Sequence, residues 1–239
     1  EEMDISFLFV VGTPERDVLD IKEVWPVAYP SYTNIISDAV FAPRKLPLMD
    51  SGKYFNVTTS VTGHGQEGEF IPRNHFFKVG TSQQFQWQAW KDCGDNPIYP
   101  QGGTWIYDRA GWCPGMATDI ERHDITSYVT AGDSALLDYG VVSATGTSNY
   151  IVSNKLITYG EYNHNLDAAI VEVIAPSNRV EYAKENNICH YPKVTIRNAG
   201  KTPLTSLKIE FWVNNSTTKE TYNWSGNLAP SENEVVEMH

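Results

Sequence analysis

The chain has 239 residues and carries 18 lysines and arginines against 29 aspartates and glutamates, a formal net charge of -11. The phosphate backbone that dominates nucleic-acid affinity would repel this charge, which excludes nucleic acid as a partner. No apolar run reaches the roughly 18 residues of a membrane-spanning helix, so no membrane span is expected.

Short apolar or β-branched runs bounded by Gly, Pro, Asn or Asp predict strands along most of the chain. The only stretch that allows a helical turn is 181–187, and no longer segment has a helical period. Strands at this spacing favour an all-β sandwich or jelly roll. The predicted strands of this first part are 5–11, 57–61, 75–79, 134–141, 150–159 and 168–173.

A boundary is predicted near 175–178, where an apolar strand ends in turn residues. Beyond it, 193–200 and 207–213 alternate apolar and polar residues with a period of two. A strand, an Asn-Ala-Gly turn and a second strand are similar to the start of a small Ig-like module of the adhesion or CARDB type. The segment is short for a complete sandwich of about 100 residues, so it is expected to be partial.

The segment 63–115 concentrates glycine, proline, tryptophan and charged residues, and long structured loops of this kind usually serve function. The chain has three cysteines, an odd number that requires a free thiol or an outside partner. The separation of Cys93 and Cys113 suits a loop-closing disulfide worth roughly 3 kcal/mol, with two reduced thiols as the alternative. No role follows for Cys189.

One string in this segment carries a family resemblance. The residues Asp108 to Met116, which read DRAGWCPGM, resemble a segment of the peptide-N-glycosidase F family, bacterial amidases that cleave the side-chain amide between asparagine and an N-glycan. Cys93 with the following Asn-Pro-Ile matches the other half of that segment's disulfide, and Glu69, Arg73 and His75 match the family's spacing. The resemblance covers residues 4–177.

The resemblance implies two side-by-side jelly-roll sandwiches with the active site between them. Residues 1–12 would then be the last strand of a missing N-terminal sandwich or a linker, 13–177 the C-terminal jelly roll, and 178–239 the partial Ig-like module. The family's principal catalytic aspartate belongs to the N-terminal sandwich, and no segment of this sequence supplies it. This chain alone is therefore expected to be inactive.

The resemblance also assigns the site residues. Glu69 is expected to orient the attacking water or a sugar hydroxyl, and Arg109 to hold Glu69 ionised by charge pairing. No metal or organic cofactor is implied, and the location implied is extracytoplasmic and bacterial. The other expected site residues are His64, Arg73, Trp105, Trp112 and Asp108 as substrate-binding side chains, and Cys93, Cys113 and His75 as structural ones.

The sequence departs from the family at two places beside the proposed cleft. Glu67 and Ile71 stand where the family has a small disulfide around its glutamate, and His64 stands where it has a tryptophan. Both changes are expected to affect glycan preference.

Three other interpretations remain open at this point. His64, Glu69 and His75 could bind a metal, since the same architecture holds copper in peptide-hydroxylating monooxygenases, but such sites favour paired histidines and a methionine. Glu69 and Arg109 could form a purely structural ion pair. Finally, the chain could be a non-catalytic module that binds glycan or protein.

Overall fold

The structure is a computed structural model. It describes residues 5–94, 96, 102–142, 148–179, 182, 191–214 and 216–239, and within them the fold is all-β, as predicted. Two short α-helices, α1 (Tyr32–Ile36) and α2 (Gly65–Phe70), and one 3-10 turn (Thr126–Tyr128) accompany the strands. The strands are β1 (Arg16–Ala28), β2 (Arg44–Pro47), β3 (Tyr54–His64), β4 (Arg73–Val79), β5 (Ser82–Ala89), β6 (Glu121–Asp124), β7 (Ser134–Val141), β8 (Asn149–Tyr162), β9 (Ala168–Ala175), β10 (Lys193–Asn198), β11 (Leu204–Phe211), β12 (Glu220–Leu228) and β13 (Asn233–Glu237).

The first eight strands build a sandwich of two four-stranded antiparallel sheets, ordered β1-β8-β3-β6 and β2-β7-β4-β5. Every second residue of β3 is buried, which is the pattern of a strand with one face on a core. The side chains that the two sheets bury between them include Val57, Leu156, Phe77, Leu137 and Tyr139.

The trailing part has a core of its own, which includes Ile196 and Trp224. Its sheets are ordered β13-β10-β9 and β11-β12. Strand β9 pairs along β10, so a strand that precedes the predicted boundary at 177/178 hydrogen-bonds with the trailing part. The assignment of this part as an Ig-like module stays a prediction.

Arg16, at the start of β1, connects the two parts. Its guanidinium carbon lies 4.4 Å from the ring centre of Tyr159 and 4.7 Å from that of Tyr162. Its Nη2 donates a hydrogen bond of 3.0 Å to Ser231 of the trailing part. The Arg16 side chain is almost fully buried, so this hydrogen bond links the two parts where little water can compete for it.

Three sequence expectations need correction or fall outside the description. The strand predicted at 5–11 is wrong: the segment pairs with no strand among the described residues, and its apolar side chains are exposed. The long loop expected at 63–115 instead contains α2, β4 and β5. The helical turn predicted at 181–187 lies, apart from Tyr182, outside the described residues, and so does Cys189.

Within the described ranges, every helix is too short and too polar to pass through a lipid bilayer.

Candidate functional site

Backbone hydrogen bonds bring together the three segments that carry the predicted site. The N–H of Ala110 donates to the carbonyl oxygen of Glu69 at 3.0 Å, and the N–H of Gly63 donates to the carbonyl of Ala110 at 2.9 Å. Arg109 and Lys91 exchange both backbone hydrogen bonds, at 2.8 and 3.1 Å. Main-chain hydrogen bonds therefore hold together the end of β3, the end of α2 and residues 108–113, called the DRAGWC segment below.

Two glycines make this close approach possible. A Cβ atom on Gly63 would lie 1.9 Å from the carbonyl oxygen of Gly68. A Cβ atom on Gly111 would lie 2.0 Å from the carbonyl oxygen of Val61, and the φ angle of Gly111 is +76°, which L side chains rarely adopt. Any larger residue at either position would push the segments apart.

Glu69 and Arg109 face each other, with Oε1 of the glutamate 3.3 Å from Nη1 of the arginine. The arginine side chain is 4% exposed, whereas the glutamate side chain is 21% exposed. Among the described residues, no group hydrogen-bonds the second carboxylate oxygen of Glu69. The pair therefore has a buried cationic side and an accessible anionic side.

The guanidinium of Arg109 is held by aromatic rings and by a loop threonine. Its central carbon lies 5.2 Å from the ring centre of Phe70 and 5.1 Å from that of Trp112, which are cation–π distances. Its Nη2 donates to the carbonyl oxygen of Thr104 at 2.5 Å and to the Thr104 hydroxyl at 2.9 Å. Neither Phe70 nor Thr104 was among the residues expected from the sequence.

His64 also packs against Trp112. The two rings stack with centres 5.7 Å apart, and the Tyr29 ring meets the imidazole edge-on at 5.6 Å. Nε2 of His64 is 2.8 Å from the Thr62 hydroxyl. Burial lowers the pKa of His64, and the negative charge of Glu69 opposes this shift, so His64 is electrostatically coupled to the site.

The predicted Cys93–Cys113 disulfide is present and ties the two ends of the loop that contains Arg109. Asp108 supports the same loop, because its Oδ1 accepts a hydrogen bond of 3.1 Å from the N–H of Cys93. Trp105 lies half-buried on this loop.

Arg73 and His75 lie further from the pair. Arg73 contacts Glu67 of α2 at 3.7 Å and places its guanidinium over the ring of Tyr32. His75 is completely buried, with Nδ1 2.7 Å from the Tyr139 hydroxyl, and burial lowers its pKa to about 3. His75 is therefore a neutral core residue. In place of the family's small disulfide around Glu69, this chain has the Arg73–Glu67 contact and a hydrogen bond of 3.2 Å from the N–H of residue 71 to the Glu67 carbonyl.

A cleft of about 840 Å³ opens beside the pair. Phe70 and Tyr107 meet edge to face on its wall, with ring centres 6.4 Å apart. Phe70 directly follows Glu69 and Tyr107 directly precedes Asp108, so the positions already identified could have pointed to both residues. The contact of Thr104 depends on a turn that the sequence does not reveal. No cluster of three or more potential metal-binding side chains occurs in the part of the chain that the structure describes. Other residues that line the cleft are Gln66, Trp90, Thr104, Ile106 and Asp108.

Residues 31–157, more than half of the chain, match the family described as "Peptide-N-glycosidase F, C terminal". The chain belongs to the peptide-N-glycosidase F family. It is 33% identical over 181 residues to peptide-N(4)-(N-acetyl-beta-D-glucosaminyl)asparagine amidase F of Elizabethkingia miricola, a match that covers 65% of this chain and 49% of that protein. The chain thus spans about half the length of this relative.

Solved structures agree with the family assignment. PNGase F, a glycosylasparaginase from Flavobacterium meningosepticum, is 25% identical with a TM-score of 0.51, and the match covers 63% of this chain and 55% of that one. A recombinant peptide:N-glycanase F gives the same TM-score and coverage at 24% identity, which supports the fold alone. The expected resemblance is therefore confirmed for the jelly-roll part.

Proposed function

We propose that this chain is the C-terminal half of a hydrolase that removes N-glycans by cleaving the amide between an asparagine side chain and the first sugar. The observation that carries the proposal is the Glu69–Arg109 pair, with 3.3 Å between Oε1 and Nη1, in a chain of the peptide-N-glycosidase F family. The name of the Elizabethkingia miricola relative supports the same chemistry.

The geometry of the pair suits one requirement of amide hydrolysis, the positioning of the attacking water. Such a reaction needs a positioned water and stabilisation of the charge that develops on the leaving group or the carbonyl oxygen. The second oxygen of Glu69 can accept a hydrogen bond from water or from a sugar hydroxyl. Arg109, buried behind it, fixes the direction in which that oxygen points.

The residues around the pair are proposed to contact the substrate. Trp112 and His64 form a stack beside Glu69, and Asp108 lines the neighbouring cleft. Trp105 is proposed to join them from the same loop. The substrate-binding role predicted for Arg73 stays a prediction; its described contacts include Glu67 of α2 and the ring of Tyr32.

We further propose that a second sandwich, N-terminal to residue 1, completes the cleft and supplies the missing carboxylate. The relative's length, about twice the matched span, supports this. The Cys93–Cys113 disulfide supports an oxidising, extracytoplasmic compartment. Neither a metal nor an organic cofactor enters the proposed reaction.

The test is glycan release from a denatured N-glycoprotein by the full-length protein. Glu69→Gln and Arg109→Ala should each lower the rate by about 10²–10⁴-fold, the usual contribution of a general-base or electrostatic group. Glu161→Gln is the matched control, because Glu161 of β8 forms an exposed ion pair with Lys201 of the trailing part, outside the proposed site. Wild-type rates in both site variants would remove these residues from the mechanism.

A second candidate is a non-catalytic module that binds an N-glycopeptide through the aromatic cleft. The cleft of about 840 Å³, with Phe70 and Tyr107 on its wall, favours it because sugar rings pack on aromatic faces. This function predicts saturable binding of a glycopeptide without turnover, even in the full-length protein. Free glycan in that assay would exclude it.

A further inference from the structure

Thr104 supplies two acceptors to the buried guanidinium of Arg109. The Nη2 of Arg109 reaches the Thr104 carbonyl oxygen at 2.5 Å and the Thr104 hydroxyl at 2.9 Å. A guanidinium carries five N–H donors, and a donor buried without an acceptor is costly. Because the Nε of Arg109 is buried and has no hydrogen-bond partner among the described residues, the Thr104 contacts matter more to this side chain than to an exposed arginine.

The position of Thr104 is set by its own turn. The N–H of Tyr107 donates to the Thr104 carbonyl at 3.1 Å, and the preceding Gly103 has a φ angle of +77°, which favours glycine. The turn therefore fixes the carbonyl and the hydroxyl that face Arg109.

The aromatic neighbours of Arg109 do not select which terminal nitrogen faces Glu69. The attraction of the Phe70 and Trp112 rings acts on the delocalised guanidinium charge as a whole. Rotation about the Cζ–Nε bond would move Nη1 away from Oε1 of Glu69, which is 3.3 Å distant. The two hydrogen bonds at Nη2 oppose this rotation, together with the ion pair itself.

We propose that Thr104 is a positioning residue of this site: its hydroxyl holds Nη2 of Arg109 against rotation of the guanidinium, and Arg109 in turn orients the Glu69 carboxylate. This inference rests on the proposed function. Thr104 also lines the cleft, so the split between kcat and KM separates two roles. If the hydroxyl acts through Arg109, its loss should lower the turnover rate more than the affinity for substrate, whereas loss of a direct substrate contact would raise KM.

The first test compares Thr104→Val with Thr104→Ser in the full-length protein, using glycan release. Valine keeps the shape and removes the hydroxyl, and kcat should fall about tenfold with KM little changed, since a hydrogen bond to a charged group is lost. Serine keeps the hydroxyl and should restore kcat to within about twofold of the wild type. Thr81→Val, at an exposed threonine in the turn between β4 and β5, is the matched control and should have no effect.

The second test needs no activity. Nitrogen-15 NMR of the Arg109 side chain should show two distinct Nη signals in the wild type and in Thr104→Ser, and averaged or broadened signals in Thr104→Val. If no variant, wild type included, releases glycan, the proposed function fails and the NMR result alone decides the role of Thr104. The proposal is overturned by unchanged Nη signals in Thr104→Val, or by a loss of kcat that serine does not rescue.

Discussion

Lowering the pH from 7 to 5 should destabilise the larger sandwich through two buried histidines. His75 packs against Tyr139 and Trp87 in the core, and its buried Nε2 has no hydrogen-bond partner in the described part of the chain. His123 stacks on Phe85, with ring centres 4.6 Å apart, and its Nε2 is likewise buried and finds no partner within the described ranges. Burial lowers the pKa of His75 to about 3 and that of His123 to about 4.

The direction of the effect follows from these values. Both pKa values lie below the ordinary value of 6.5, so between about pH 6.5 and pH 4 the unfolded chain binds protons that the folded chain does not. Stability is therefore full above pH 6.5 and falls as the pH decreases through this window. From pH 7 to pH 5 the loss is about 2 kcal/mol for His75 and somewhat less for His123, whose ring is not completely buried.

Urea unfolding at pH 7, 6 and 5 measures this loss of the free energy of unfolding. The variant His123→Phe measures the contribution of His123 to it. Phenylalanine fits the aromatic surroundings of His123 and cannot be protonated, so the variant should lose about 1–2 kcal/mol less than the wild type over the same interval. His164→Asn, at an exposed histidine, is the control for replacing a histidine. An equal loss in His123→Phe and the wild type would refute the reasoning.

Three further changes test the framework around the site. Replacing Cys93 and Cys113 together by alanine should lower the free energy of unfolding by about 3 kcal/mol, measured by urea unfolding, and an unchanged midpoint would contradict the loop-closure argument. Gly111→Ala should lower the melting temperature strongly, because its Cβ would lie 2.0 Å from a carbonyl oxygen, whereas Gly102→Ala, with open space around it, should not. Arg16→Met should cost about 1–2 kcal/mol in calorimetric unfolding, since it removes the charge held among tyrosine rings, and an unaltered transition would show that the two parts do not depend on this contact.

The strands that the sequence predicted best are those with a regular buried face. The runs predicted at 57–61 and 150–159 lie inside β3 and β8, where alternate residues are buried. Strand β1 was not predicted, because its pairing with β8 shifts register four times and its apolar residues do not alternate. The apolar run 5–11 was predicted as a strand although it has no pairing partner among the described residues, since composition alone cannot supply a partner.

At the site, too, some features could be predicted from the sequence and others could not. Glu69 and Arg109 could be paired from the sequence because the resemblance to the peptide-N-glycosidase F family assigns both residues to one site. The contacts of Arg109 with Phe70 and Thr104 could not, since they depend on where α2 ends and on a turn at 104–107. The stacking of His64 on Trp112 likewise arises only when β3 is brought against the DRAGWC segment.

The most direct measurement is the identity of the peptide product in water enriched in heavy oxygen. A glycosylated asparagine peptide, incubated with the full-length protein, should emerge with aspartate at that position and one heavy oxygen atom in its carboxylate, and Glu69→Gln should yield almost none of it. A released glycan that leaves asparagine, or asparagine with one sugar, on the peptide would contradict hydrolysis of the side-chain amide at this site.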